Sequence, residues 1–149
     1  MCGIVGFASK KADYDKQAVL KEMMDRIAHR GPDGEGSYLD EGVALGHRRL
    51  SIIDLQGGAQ PMYNEDGSMV VIFNGEIYNF QELKAQLEEK GHVFATRSDT
   101  EVLLHGYEEW GKSLLQRLRG MFTFALWDKK TNTLFCARDH FGIKPFYYY

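Results

Sequence analysis

Apolar side chains fill both alternating positions of residues 121–127 (MFTFALW). Successive side chains of a strand point to opposite faces, so a strand with this pattern has to be covered above and below. A second strand is predicted at residues 133–138, after a turn at 129–132, and we expect the two strands to pair as a hairpin. A fold that contains this hairpin therefore needs a layer of structure on each of its sides.

The rest of the chain alternates between helical and strand patterns. Apolar residues recur at helical spacing in residues 14–29, 80–90, 100–110 and, as a short turn, 114–118. Asn79 is expected to cap the second of these helices and Gly91 to end it. Further strands are predicted at residues 2–8, 37–39, 43–53, 69–74 and 92–96. The combination predicts an α+β fold in which stacked antiparallel sheets are flanked by helices.

Composition indicates one globular domain. Hydrophobic residues make up 44% of the 149 residues, which is enough to bury a sizeable core. The net charge of −3, without a basic block, argues against nucleic acid or an anionic membrane surface as the main partner. No apolar run is long enough to span a membrane, and no signal peptide is visible. Two cysteines are too few for a secreted disulfide framework, so a cytoplasmic protein with reduced thiols is expected.

Cys2 directly follows the initiator methionine, so removal of Met1 would leave a thiol and a free α-amine on one residue. A cysteine needs a proton acceptor to attack an amide well, and a terminal amine can be that base. Roughly a tenth of an α-amine is unprotonated at neutral pH, because its pKa lies near 8. The position of Cys2 alone does not distinguish such a nucleophile from a cysteine without a role.

The segment FNGEIYN (residues 73–79) places an amide side chain and a glycine at the predicted end of a strand. The Asn74 side chain and the Gly75 backbone N–H could both donate to a developing oxyanion, and glycine allows close approach. A turn closed by a local hydrogen bond of Asn74 explains the same residues equally well.

Two adjacent arginines, Arg48 and Arg49, interrupt an apolar strand pattern. Neighbours in a strand face opposite ways, so one of them points inward and requires a carboxylate from the protein or from a ligand. Farther along, RSDTE (residues 97–101) places acids at a helix start. Ser98 or Asp99 as a helix cap is the default interpretation, and an anion for a substrate ammonium is the alternative.

Three other patterns do not indicate a ligand site. HRGPDGEG (residues 29–36) lacks phosphate-loop spacing and is interpreted as a structured turn. GYEEWGKS (residues 106–113) has the letters of a P-loop, but it continues an amphipathic helix and carries two carboxylates that would repel nucleotide. No metal site is predicted, because neither a His-Glu-x-x-His pair nor cysteines at zinc spacing accompany the histidines His29, His47, His92, His105 and His140.

Seven ordered segments together resemble a known family: CGIVG, HRGPDG, GHRRLSIID, GAQPM, FNGEIYN, SDTEV and RDHFGIKPFYY. Their order and spacing are similar to those of the glutaminase domain of asparagine synthetases, which are class II glutamine amidotransferases and N-terminal-nucleophile hydrolases. The resemblance covers residues 1–149 as one glutaminase domain. It implies a four-layer αββα sandwich of two stacked, mainly antiparallel sheets flanked by helices.

The resemblance also implies roles for individual residues. Cys2 would be the nucleophile with its own α-amine as base, and Asn74 and Gly75 would form the oxyanion hole. Arg49 would bind the α-carboxylate of glutamine, while Arg48 would face away. The α-ammonium and the pocket wall would involve Glu76, Asp99, and main-chain groups around Ile52 and Ile53.

The implied reaction is attack of the Cys2 sulfur on the side-chain amide of glutamine, release of ammonia, and hydrolysis of a γ-glutamyl thioester. No cofactor is implied for this domain. ATP and Mg²⁺ are expected only for a C-terminal synthetase domain of the parent enzyme. The expected partners are therefore L-glutamine, as substrate, and that synthetase domain. The aromatic run at residues 146–149 indicates a cut inside a larger protein, and a homodimer is compatible with the resemblance.

Three alternatives stay open. The chain could be the glutaminase domain of another class II amidotransferase, although FNGEIYN and RDHFGIKP look more like the asparagine synthetases. It could be a glutamine-binding fragment that folds without turnover, because of truncation or because Met1 is retained. Nucleotide binding through residues 106–113 is the third alternative.

Overall fold

Antiparallel strands dominate the computed structural model, which describes residues 2–9, 13–50 and 58–149. In chain order these strands are β1 (Gly3–Ala8), β2 (Gly34–Leu39), β3 (Val43–Arg49), β4 (Met62–Tyr63), β5 (Met69–Ile77), β6 (Gly120–Asp128) and β7 (Thr133–Arg138). They form a first sheet of order β1-β3-β2 and a second sheet of order β4-β5-β6-β7. Every neighbouring pair in both orders is antiparallel.

The helices are α1 (Lys16–Arg26), α2 (Phe80–Glu89) and α3 (Glu101–Trp110), with 3₁₀ turns at Ala28–Arg30 and Gly111–Gln116. The carboxylate of Asp15 caps α1 by accepting hydrogen bonds from the N–H groups of Gln17 and Ala18, at 2.9 and 3.1 Å. Gly91 follows α2 with a φ of +97°, a backbone conformation that favours glycine. The predicted end of that helix is thereby confirmed.

Three apolar clusters define four layers. Leu20 and Met24 of α1 pack on Ala44 of the first sheet. A second cluster fills the space between the sheets and contains Val43, Leu45, Val70, Ile72, Ala125 and Trp127. The largest cluster lies between the second sheet and helices α2 and α3, with members that include Val71, Phe73, Leu83, Leu87, Leu103 and Phe124. The αββα sandwich implied by the sequence is confirmed.

β6 lies inside the second sheet and is buried on both faces, as the apolar pattern predicts. Phe122, Phe124 and Leu126 face the helices. Ala125 and Trp127, on the opposite face, contact the layer between the sheets. The strand is therefore covered by α2 and α3 on one side and by the first sheet on the other.

Several strand predictions are wrong. β2 begins at Gly34 rather than at residue 37, so the turn predicted at residues 29–36 is shorter. The strand predicted to end at Asn74 continues to Ile77, because β6 pairs with it as far as the register Ile77↔Gly120. Residues 92–96 do not form a strand. The carboxylate of Glu101 accepts hydrogen bonds from the N–H groups of Ala95 and Thr96, at 2.7 and 2.8 Å, and so replaces a neighbouring strand.

Asn79 does not cap α2 through its side chain. Its amide instead donates to the carbonyl oxygen of Arg117 and accepts from the N–H of Arg119, both at 2.9 Å. The chain that returns before β6 brings the backbone of Arg117 and Arg119 to the Asn79 side chain, and these contacts replace the cap. The predicted strand 43–53 is observed to Arg49, and its part beyond residue 50 lies outside the described residues.

The P-loop letters at residues 106–113 fall on the end of α3 and the following 3₁₀ turn. No strand precedes them, so the interpretation as a false motif agrees with the structure. Among the residues that the structure describes, no helix is long and apolar enough to cross a membrane.

Candidate active site

Side-chain alternation places Cys2 and Arg49 on the inner face of the first sheet. In β1, Ile4 packs into the layer between the sheets, and Cys2 lies two residues before it. In β3, Leu45 packs into the same layer, and Arg49 lies four residues after it. Gly3 pairs with Arg48, so Cys2 and Arg49 also lie at the same end of this sheet.

Asn74 faces this pair from the second sheet. It shares a strand face with Ile72, which packs between the sheets. Next to it, Phe73 is linked to the first sheet, because the Nε2–H of His47 donates to the Phe73 carbonyl oxygen at 3.2 Å. The nucleophile predicted in one sheet and the oxyanion donor predicted in the other are therefore at the same end of the interior layer.

The half-buried Cys2 is held by backbone contacts. The N–H of Leu50 approaches Sγ at 3.4 Å, and Sγ lies 3.8 Å from the Leu50 carbonyl oxygen. Nε of Arg30 donates to the Cys2 carbonyl oxygen at 3.3 Å. These contacts tie the end of the chain to β3 and the adjoining turn, so the sulfur does not lie on a frayed terminus.

β5 has an open edge beside the predicted oxyanion hole. β4 pairs only with Val70 and Val71, and no other described strand continues along that edge. The N–H of Phe73 donates to Oε1 of Gln60 at 2.6 Å, and the N–H of Ile77 donates to Oδ2 of Asp99 at 2.8 Å. Gly75 lies midway between these residues, so by alternation its N–H points to the same open edge.

The pairing of β6 supports this direction for the Gly75 N–H. Phe122, the partner of Gly75, uses its own N–H and carbonyl oxygen for Asp139, at 3.2 and 2.7 Å. Gly75 and Phe122 thus form a non-hydrogen-bonded pair. A Cβ on Gly75 would lie 2.2 Å from the carbonyl oxygen of Met121, which explains why this position requires glycine.

The Asn74 amide is available as a second donor. Asn74 is only 6% exposed, and its side chain makes no hydrogen bond with the other residues that the structure describes. The prediction that Asn74 and Gly75 end a strand is wrong, but the functional expectation does not depend on it. No described strand pairs with the Gly75 N–H because β4 is short, and the Asn74 side chain faces the layer between the sheets.

The two arginines separate as predicted. Arg48 reaches the α1 side, where its guanidinium pairs with Asp25 and Glu35, both at 2.6 Å, and its Nε donates to the Met24 carbonyl oxygen. Arg49 points the other way, since a Cβ added to Gly58 would lie 3.0 Å from its guanidinium. Arg48 therefore joins layers of the fold, and Arg49 lines the interior end that also holds Cys2.

Asp99 and Glu76 form the acidic side of the site. Burial raises the pKa of Asp99 to about 6, the hydrogen bond from the Ile77 N–H opposes this, and the Glu76 carboxylate adds to the increase. Glu76 directly precedes Ile77, whose N–H donates to Asp99, so both acids lie at the open edge of β5. The structure thus brings together both acids that the sequence singles out, whereas Ile52 and Ile53 lie outside the described residues.

His47 is a site residue that the sequence prediction missed. It is 1% exposed, and burial lowers its pKa to about 4, against the hydrogen bond to Phe73 and with a contribution from Arg49. A neutral imidazole therefore holds the two sheets together directly behind the Asn74 position. The alternation Val43, Leu45, His47 along β3 was the signal that this histidine faces inward.

Comparisons with known proteins agree with this geometry. The chain matches the glutamine amidotransferase domain family over residues 1–149. Asparagine synthetases [glutamine-hydrolyzing] 1 and 2 of Bacillus subtilis are 50% and 49% identical to it, over 99% of this chain and 24% and 20% of their own length. The maize (Zea mays) asparagine synthetase is 46% identical over 99% of this chain and 25% of its length.

The chain thus spans about a quarter of the length of these relatives. Among solved structures, a glutamine phosphoribosylpyrophosphate amidotransferase from B. subtilis is similar with a TM-score of 0.50 and 28% identity. That match covers 61% of this chain and 22% of the other. With a family match over its full length and a thiol, an amide and an open N–H at one end of its core, the chain belongs to the glutamine amidotransferase domain family.

Proposed function

We propose that this chain hydrolyses the side-chain amide of L-glutamine to glutamate and ammonia, with Cys2 as the nucleophile. The observations that carry the proposal are the edge of β5, where the Gly75 N–H is directed away from β6, and the Asn74 side chain, which makes no hydrogen bond with the other residues that the structure describes. Two such donors stabilise an oxyanion better than a neutral carbonyl, which is how they accelerate acyl transfer.

In the proposed reaction, removal of Met1 frees the α-amine of Cys2 to take the thiol proton. The sulfur forms a bond to the amide carbon, and the oxyanion accepts hydrogen bonds from Asn74 and Gly75. Ammonia leaves with the proton that the amine holds, and a γ-glutamyl thioester remains. Water then attacks the thioester, with the same amine as base, and releases glutamate and the thiol.

The charged groups suit a zwitterionic amino acid. Arg49 would pair with the α-carboxylate, and Asp99 with help from Glu76 would bind the α-ammonium. A bound ammonium favours the ionised form of Asp99, so the ligand would lower the raised pKa of that carboxyl. Main-chain groups around Ile52 and Ile53 are proposed to complete the pocket.

We further propose that the ammonia serves asparagine synthesis from aspartate in a longer parent enzyme. The identity of 44% to 50% with asparagine synthetases, of which this chain spans about a quarter, supports a separate synthetase domain as its partner. ATP and Mg²⁺ would belong to that domain, and the hydrolysis of glutamine would need no cofactor. Cytoplasm is the proposed location, in keeping with two free thiols.

Ammonia release from glutamine by the chain with Met1 removed tests the proposal. Cys2→Ala should abolish the reaction, while Cys136→Ser, at an exposed cysteine, should leave it unchanged. Asn74→Ala should fold normally and lose about 100-fold to 1,000-fold in rate. Equal rates for Cys2→Ala and the parent chain would refute cysteine catalysis, and calorimetric glutamine binding without ammonia release would indicate the inactive binding fragment.

A further inference from the structure

Two histidines and a glutamate converge between α3 and the segment that follows α2. His105 Nδ1 lies 3.1 Å from Oε2 of Glu108, and His92 Nδ1 lies 3.6 Å from the same oxygen. The three ligand atoms all lie within 4.8 Å of one another. In a tetrahedral site with metal–ligand bonds of about 2.1 Å, ligand atoms are about 3.4 Å apart. The cluster therefore has the dimensions of a metal site.

A fourth oxygen and a complete outer set of partners surround these atoms. Oε1 of Glu65 lies 3.8 Å from His105 Nδ1. The opposite ring nitrogens face further carboxylates, since His105 Nε2 lies 3.5 Å from Glu101 and His92 Nε2 lies 3.5 Å from Glu109. Histidines that bind metals commonly donate their second N–H to a carboxylate in this way.

These outer carboxylates are themselves held in place. Glu101 accepts from the backbone of residues 95 and 96 and is only 5% exposed. Glu109 pairs with Lys90 at 2.8 Å. The Asn64 side chain donates to Oε1 of Glu108 at 2.7 Å, which leaves Oε2 for the histidines. The geometry is thus supported from several elements rather than by one flexible side chain.

We propose that His92, His105 and Glu108 bind a divalent transition-metal ion of the zinc type, with Glu65 as the fourth ligand. Imidazole nitrogen suits zinc and its neighbours better than calcium or magnesium. The ion joins α3, the segment after α2 and the turn before β5, and it has a structural role separate from the hydrolysis of glutamine. The sequence analysis predicted no metal site because it considered local spacing. Local spacing does not identify ligands that come together only in the folded chain.

Zinc binding to the 149-residue chain tests the site, in a Cys2→Ala, Cys136→Ser background that removes both thiols as competing ligands. Calorimetry should detect one equivalent of Zn²⁺, and the ion at about 100-fold excess over its dissociation constant should raise the thermal midpoint by about 5 to 10 °C. His92→Gln and Glu108→Gln should each weaken binding at least about tenfold. His29→Gln and His140→Gln, at exposed histidines, are the matched controls and should bind zinc as the parent does.

Circular dichroism without metal establishes that each variant is folded before titration. Absence of stoichiometric zinc binding to the parent would overturn the site. Equal binding by both ligand variants and the parent would do the same, because the metal would then lie elsewhere. Ammonia release is not part of the readout, so this result and the test of glutamine hydrolysis succeed or fail separately.

Discussion

A buried histidine and a partly buried aspartate, whose pKa values are shifted in opposite directions, lie beside the proposed site. His47 is held neutral behind Asn74, and Asp99 carries a raised pKa at the edge of β5. Burial disfavours the charged form of either group, so it lowers the pKa of the histidine and raises that of the acid. Each shift makes the free energy of unfolding depend on pH in its own window.

Asp99→Asn should stabilise the chain near pH 7.5 and weaken glutamine binding. Asp99 has a pKa of about 6 in the folded chain, against an ordinary value of 3.8. Between these two pH values the folded state binds more protons than the unfolded state. The free energy of unfolding therefore falls as the pH rises through this window. Asparagine keeps an acceptor for the Ile77 N–H without the charge. Urea unfolding should show a gain of up to about 3 kcal/mol at pH 7.5 and none below pH 3.8, and the KM for glutamine should rise. A variant that is less stable at neutral pH would contradict this account.

His47→Gln should reduce the loss of stability in acid. The folded chain protonates His47 near pH 4 and the unfolded chain near pH 6.5, so the unfolded state binds more protons in between, and stability falls as pH drops. At pH 5 this contribution amounts to about 2 kcal/mol. The side-chain amide that replaces the His47 ring in this variant can still donate a hydrogen bond to the Phe73 carbonyl oxygen. Unfolding curves at pH 7 and pH 5 should therefore differ less in the variant than in the parent, and an unchanged difference would exclude His47 as the source.

At the scale of the element, β5 extends beyond its neighbour β4, and the proposed site lies along the part of the β5 edge that β4 does not reach. β5 runs from Met69 to Ile77, whereas β4 consists of Met62 and Tyr63. The unpaired part of its edge collects a side-chain oxygen of Gln60, the Asp99 carboxylate and, between them, the Gly75 N–H. A strand edge commonly needs a cover, and the part of this edge that no described strand pairs with presents the N–H groups of Phe73, Gly75 and Ile77.

Gly75→Ala should damage both β5–β6 packing and the proposed activity. The added methyl would lie 2.2 Å from the Met121 carbonyl oxygen and 2.6 Å from Cα of Phe122, so one backbone has to move. Overpacking of this kind costs roughly 1 to 3 kcal/mol. Gly34→Ala is the matched control, because the nearest atom to its methyl is 3.8 Å away. Denaturant unfolding and ammonia release check both variants, and equal stability of the two would argue against the close approach.

At the scale of the whole molecule, the two sheets are joined at the opposite side of the layer by Asp40. Its carboxylate, in the turn between β2 and β3, accepts from Nε1 of Trp127 at 2.6 Å and from the Tyr38 hydroxyl at 2.8 Å. It also accepts from the N–H groups of Gly42 and Val43, at 2.7 and 2.9 Å. One residue thus orders a turn and connects the first sheet to a strand of the second.

Asp40→Ala should destabilise the folded chain by about 2 to 4 kcal/mol, since it leaves several buried or half-buried donors without an acceptor. Trp127→Phe removes the hydrogen bond across the sheets together with part of the ring. The double variant separates the two effects, and its coupling energy should be at least about 1 kcal/mol. Strictly additive unfolding free energies would show that the contact between the sheets contributes nothing.

Local pattern predicted the positions of β1, β6, β7 and the three helices, because alternation and helical spacing are properties of neighbouring residues. It failed at residues 92–96, where the side chain of Glu101 replaces a strand partner, and at Asn79, which binds the backbone of Arg117 and Arg119 instead of capping α2. Both errors come from hydrogen bonds between a side chain and the backbone that outcompete a local preference. They join residues five and six positions apart at Glu101 and about 40 positions apart at Asn79.

For the proposed site, sequence supplied the residue types and the family, and it placed Arg48 and Arg49 on opposite faces. Tertiary structure alone decided that His47 binds the Phe73 carbonyl, that the Gly75 N–H lies on an unpaired edge, and that His92 meets Glu108. Periodicity reports which face of an element is buried, since that depends on the element itself. Which distant group lies against that face depends on how the sheets and helices pack, and no local pattern contains this information.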